Sequence, residues 1–175
     1  MIAANREGIR MGVIQEMIVR NGRPSDHEKI VALMPEWWGG RDLTSMLPKL
    51  FFSHFSNTIY IAELESQLVG FLVGFFSQSD ASVGYIHFAG VHPNYRKAGI
   101  GRYLYQKFFD VCIQNNRTII MSCTSPVNKL SIGFHLRMGF IIEPGDGVID
   151  GVPVTMNYNR KHDSKVLFRK ELDAR

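Results

Sequence analysis

Cysteine is scarce in this chain. Cys112 and Cys123 are the only two in 175 residues, and they fit neither a disulfide framework nor a thiolate metal pattern. No metal site is expected, and thiols used this sparingly suit a reducing, cytoplasmic setting. Long apolar runs are missing as well. Nothing approaches the 18 or more residues of a membrane span, and no apolar signal-peptide core opens the chain. Charge of one sign is thin outside the end. Residues 160–175 hold six Lys/Arg against three Asp/Glu, which is +3 of the net +4. The remainder is nearly neutral, which argues against a phosphate-tracking stripe for nucleic acid. No Lys-Ser/Thr follows the glycines and G-x-G-x-x-G is absent, so P-loop and dinucleotide fingerprints are both excluded.

With 45% hydrophobic residues, the chain is rich enough in apolar side chains for one globular core. Residues 1–16 have mixed charge and no clear period and are read as a leader outside the fold. Residues 17–175 are read as a single domain. The first strand is expected at Met17 to Arg20. A capping box at Ser25-Asp26-His27-Glu28 opens a helix that Pro35 ends. A second helix runs from about Leu43 to Ser56, with Pro48 bending it or delaying its start. Strands follow at 58–62, 68–76 and 83–91, the middle one apolar on both faces. A helix over 102–114, a strand over 118–124 and a helix over 128–138, ended by Gly139, come next. Short strands at 140–142 and 166–168 close the order. Residues 143–163, rich in Gly, Asp and Asn, are too long for a plain hairpin and read as a functional excursion.

The chain is organised around Val91-His92-Pro93-Asn94-Tyr95-Arg96-Lys97-Ala98-Gly99-Ile100-Gly101. Pro93 stops the preceding strand because it has no N–H for the ladder. Gly99 and Gly101 then allow a tight turn with uncovered amides where a helix begins. Arg96, Lys97 and Arg102 add positive charge, so the stretch reads as a phosphate or pyrophosphate site. A second pattern places Asn128, Ser131 and His135 at spacings of 3 and 4, on one helix face. With Leu130, Phe134 and Met138 supplying the core contact opposite, that face is expected to be free for a ligand.

Arg-x-x-Gly-x-Gly after a strand ending Val-x-Pro resembles the coenzyme A pyrophosphate loop of the GNAT superfamily of N-acetyltransferases. Asn128-x-x-Ser131-x-x-Phe134-His135-x-x-x-Gly139-Phe140 is similar to that family's Asn-x-x-Ala-x-x-Phe-Tyr-x-x-x-Gly-Phe segment, with Ser131 for Ala and His135 for Tyr. The resemblance covers nearly the whole of residues 17–170. It implies an α/β fold of order β-α-α-β-β-β-α-β-α-β-β, with a mixed, mostly antiparallel sheet flanked by helices. It also implies acetyl-CoA as acetyl donor, transferred directly to the amine of a small molecule, amino acid or peptide N-terminus by a monomer or homodimer.

In that reading Ala89, Gly90 and Val91 pair with the pantetheine arm, and a main-chain N–H near Gly90 polarises the thioester carbonyl. The stretch Arg96, Lys97, Ala98, Gly99, Ile100, Gly101, Arg102 takes the phosphates, with Asn128, Ser131 and His135 as further cofactor contacts. His135 stands where the family places a Tyr acid, and His87 is the best-placed base; together they predict a bell-shaped pH profile. Trp37, Trp38, Asp42, Tyr85 and the 143–160 excursion are expected to shape the acceptor pocket. Two other readings are a ping-pong acyltransferase through Cys123 and a non-catalytic acyl-CoA sensor.

Overall fold

A computed structural model describes residues 12–173. Most of the expected leader, residues 1–11, lies outside the described residues. Residues 12–16 form a helical turn. The named elements are β1 (Ile18–Asn21), α1 (Asp26–Trp37), α2 (Leu50–His54), β2 (Ile59–Leu64), β3 (Gln67–Phe76) and β4 (Val83–Val91). They continue with α3 (Ile100–Gln114), β5 (Ile119–Thr124), α4 (Lys129–Arg137), β6 (Ile141–Ile142), β7 (Gly147–Ile149), β8 (Val152–Val154) and β9 (Val166–Glu171). Seven strands hydrogen-bond in the order β1-β2-β3-β4-β5-β9-β6. β4 and β5 pair in parallel, whereas β1–β2, β2–β3, β5–β9 and β6–β9 are antiparallel. This is the mixed, mostly antiparallel α/β sheet that the resemblance implied. The chain divides into two compact units: residues up to 75 with 88–110, and 76–87 with 111 onward.

In the first unit, β2 and β3 turn at Glu65-Ser66, both in the left-handed region (φ 49° and 65°), which matches the twist of a two-residue hairpin. β3 is apolar on both faces because both are covered. Phe71 and Val73 join Ile30, Met34 and Trp37 of α1 and Phe52 of α2 in one core. On the other face, a Cβ at Gly70 would stand 2.8 Å from Ile100, and one at Gly74 would stand 2.4 Å from Phe108. Only glycine lets α3 lie this close to the strand. Arg20 forks between Asp26 and Glu63, at 2.7 Å to each, and ties β1 to α1 and β2. Burial alone would raise the Asp26 carboxyl, but the Arg20 hydrogen bonds and charge outweigh it and hold it low.

Three expectations change here. Pro35 does not end the first helix; it lies inside α1, which continues to Trp37. Ile30, Met34 and Trp37 share one buried face, and that packing holds the last turn. Ser25 makes no cap bond; instead the Asp26 carboxylate accepts from the Arg23 amide at 2.8 Å. The second helix shrinks to α2 between 3₁₀ turns at Thr44–Met46 and Ser56–Thr58. Pro48 stands just ahead of it, where a missing N–H costs no ladder bond.

In the second unit, β9 lies between β5 and β6, and β5 also pairs with Val83–Ile86 of β4. Gly139 (φ 82°) ends α4 and sends Phe140 back toward β6. The 143–163 stretch does contain a tight hairpin. Asp150 and Gly151 (φ 50° and 76°) join β7 to β8, and the Asp146 carboxylate accepts from the Met156 amide at 2.7 Å. Thr155 then bridges to Lys165 and closes the rest of the excursion. Among the described residues, no helix is long and apolar enough to cross a membrane.

Candidate functional site

The glycine turn before α3 is built by backbone conformation. Lys97 and Gly99 both take positive φ (69° and 97°), and the Tyr103 amide closes the first helical turn on the Gly99 carbonyl at 3.0 Å. The amides of Ile100, Gly101 and Arg102 therefore lie ahead of the helical ladder, with the positive end of the α3 dipole behind them. Lys97 and Arg102 are exposed beside them. These residues fit a pyrophosphate: converging N–H donors, two cations, and no side chain at Gly99 to fill the approach. Ile14 of the 12–16 turn reaches this point, 3.8 Å from where a Cβ on Gly99 would stand. No spacing or motif announces that contact.

Arg96 also has a bracing role within the fold. Its Nε donates to the Val91 carbonyl (3.2 Å) and its Nη2 to the Trp37 carbonyl. It ties the loop to the C-terminal end of α1. Trp37 is a core residue, 2% exposed, so its ring is not offered to an acceptor. Trp38 is half-buried and sits directly over the end of β4. A Cβ on Gly90 would stand 2.5 Å from Trp38 Cη2 and 2.8 Å from Phe71 Cε1. Phe88 completes the wall, with ring centroids 5.2 Å from Trp38 and 6.2 Å from Phe71. Phe71 and Phe88 escaped the sequence-based choice of site residues, although Phe88 shares a strand face with Gly90. Ala89 and Val91 are half-buried, and the His92 amide donates to the Val69 carbonyl at 2.9 Å. The β4–β5 ladder spans Val83–Ile86 against Ile119–Ser122, whereas β4 itself continues to Val91.

In the second unit, Asn128, Ser131 and His135 do share a face of α4; its His135 end is buried, while Asn128 and Ser131 are half-buried. Asn128 caps the helix, accepting from the Ser131 amide at 3.2 Å and donating to Thr124 Oγ1 at 3.3 Å. His135 is 3% exposed and stacks flat on Phe168 (4.3 Å, 1°), with Phe140 edge-on at 5.1 Å. Its Nδ1 donates to the Ser131 carbonyl at 2.9 Å. Burial drives the imidazole down to about 4, against the opposing pull of that bond. A ring held neutral at pH 7 is a poor proton donor, which removes the basis for His135 as the acid. Leu130, expected in the core, is 80% exposed.

Tyr85 on β4 is hydrogen-bonded to Cys123 on β5 and to Tyr158, and burial pushes its phenol well above the ordinary range. Tyr158 brings the excursion to this cluster, a link that no sequence spacing announced. Burial also raises the Cys123 thiol despite the Tyr85 hydrogen bond and the Lys165 charge. His87 is half-buried in β4. Asp42 in the first unit is occupied locally: its carboxylate accepts from the Thr44 amide (2.9 Å) and hydroxyl (2.6 Å), which hold it low. It braces the chain just ahead of the 3₁₀ turn.

The sequence profile of the Acetyltransferase (GNAT) family matches residues 27–140. Solved structures share the fold at low identity. Ard1 from Thermoplasma volcanium aligns over 90% of this chain and 99% of its own, with a TM-score of 0.73 at 18% identity. The diaminobutyrate acetyltransferase EctA from Paenibacillus lautus, in complex with L-2,4-diaminobutyric acid and coenzyme A, aligns over 89% and 95% (TM-score 0.67, 22% identity). YncA from Salmonella typhimurium, a putative acetyltransferase with its cofactor acetyl-CoA, aligns over 91% and 96% (TM-score 0.64, 15% identity).

Proposed function

Because the chain belongs to the GNAT acetyltransferase family, we propose that it moves the acetyl group of acetyl-CoA directly to the amine of a small molecule, amino acid or peptide N-terminus. The observation that carries this is the glycine turn: positive φ at Lys97 and Gly99 with the amides of residues 100–102 ahead of the α3 ladder. The pyrophosphate of coenzyme A takes those amides, with Lys97 and Arg102 beside them. The pantetheine arm runs along Ala89, Gly90 and Val91, and the thioester carbonyl meets a main-chain N–H near Gly90.

The neutral amine attacks the thioester carbon, the C–S bond breaks, and coenzyme A leaves as a thiolate that takes up a proton from solvent. His87 receives the proton that the amine must lose. The raised Cys123 thiol favours this one-step transfer over an acyl-enzyme. Tyr85 and Tyr158, hydrogen-bonded to one another, help to shape the acceptor pocket together with the excursion. The coenzyme's part is to present an activated acetyl group; the chain orients it and handles the proton.

The experiment is calorimetric titration with acetyl-CoA, followed by thiol-release assays across polyamines, amino acids, aminoglycosides and short peptides. Micromolar binding with amine-dependent thiol release is expected. Binding without release from any amine would make the chain an acyl-CoA-binding protein, and no binding at all would overturn the reading.

A further inference from the structure

We propose that Trp38 sets the length of the acyl group, holding the donor to acetyl and rejecting longer chains. This rests on the reading above, in which the thioester lies against Gly90. At Gly90 on β4 a side chain is forbidden by its neighbours: a Cβ there would meet Trp38 Cη2 at 2.5 Å and Phe71 at 2.8 and 3.2 Å. The indole thus lies on the Gly90 α-carbon and fills the volume a side chain would have taken. Phe88 and Phe71 stand behind it, nearly parallel to each other (5°), and Trp37 stacks on its far side at 6.4 Å and 22°.

A ring wedged between Gly90 and a stacked core tryptophan has little room to move aside. Its amide is fixed to the Met34 carbonyl at the end of α1 (3.0 Å), and Arg96 holds the Trp37 carbonyl next to it. A methyl group beside Gly90 meets an apolar aromatic wall. Each further methylene must enter the space the indole occupies, and aromatic packing of native density gives way only at a cost.

The test uses the whole chain and needs no acceptor. Dissociation constants for acetyl-CoA, butyryl-CoA and hexanoyl-CoA are measured by calorimetry for the parent, Trp38→Phe and Trp38→Ala. One methylene in a closed pocket discriminates by roughly 10-fold or more. The parent should therefore bind hexanoyl-CoA at least about tenfold more weakly than acetyl-CoA. Trp38→Ala should shrink that ratio to within about threefold, with Trp38→Phe between. Should Trp38→Ala fail to fold, Trp38→Phe decides alone: a ratio closer to unity than the parent's supports the proposal, and an unchanged ratio overturns it. A parent that binds all three donors equally also overturns it. Failure of the parent to bind acetyl-CoA at all would instead sink the underlying assignment, so the two failures are distinguishable.

Discussion

Two helices of this chain follow directly after strands, and they begin differently. α4 is opened by Asn128, whose side chain accepts from the Ser131 amide and so uses a donor of the first turn internally. α3 is opened by Gly99, which has no side chain to offer, and its neighbours Lys97 and Arg102 are exposed. Both starts carry polar groups at regular spacing. One has used a first-turn donor within the fold, and the other leaves its first amides ahead of the helical ladder. A ligand site at a helix start therefore depends on what the capping position withholds.

The sharpest way to break this comparison is Gly99→Val. A β-branched residue at φ 97° is strained and would crowd the amides, so acetyl-CoA affinity should fall by more than about 100-fold, roughly 3 kcal/mol. Calorimetry checks this, with thermal melting to confirm that the variant folds; parental affinity would remove α3 from the binding side of the comparison.

Next in size is the pH response of His135. Its folded value of about 4 lies below its ordinary 6.5, so the unfolded chain takes up this proton first as pH falls. The contribution is fully present above pH 6.5 and lost progressively toward pH 4, about 3 kcal/mol in all. Urea unfolding of the parent and of His135→Phe at pH 7, 5.5 and 4.5 should show a difference that narrows or reverses as the pH falls. A parallel pair of curves would mean that the imidazole titrates as if in water.

The smallest effect is expected from Asn128→Ala. Loss of the cap should cost about 1 kcal/mol of unfolding free energy while acetyl-CoA affinity stays within twofold. A large drop in affinity would return α4 to the binding side.

The order of elements and the glycine turn were legible because both are local. Pro93, Gly99 and Gly101 act on their own backbone, and strand alternation marks buried faces wherever it occurs. The direction of the α4 stripe was not legible. Spacings of 3 and 4 say that Asn128, Ser131 and His135 share a face, but the aromatic pocket of Phe140 and Phe168 that draws His135 inward is made by another strand. Leu130, apolar and fully at home in a core by composition, stands in solvent for the same reason. Pro35 reads as a helix end in sequence because the buried face that carries α1 on to Trp37 is tertiary. The charge of Arg96 is visible in sequence, whereas its acceptors, the carbonyls of Val91 and Trp37, are not.

That last contact reaches further than bracing. One guanidinium joins the turn proposed to take the phosphates to the chain segment that carries both indoles. Linkage requires the influence to run both ways: whatever affinity the turn gains from a well-seated indole, the indole gains in order from a filled turn. In the proposed reading, recognition of the donor and of its acyl group is coupled through Arg96.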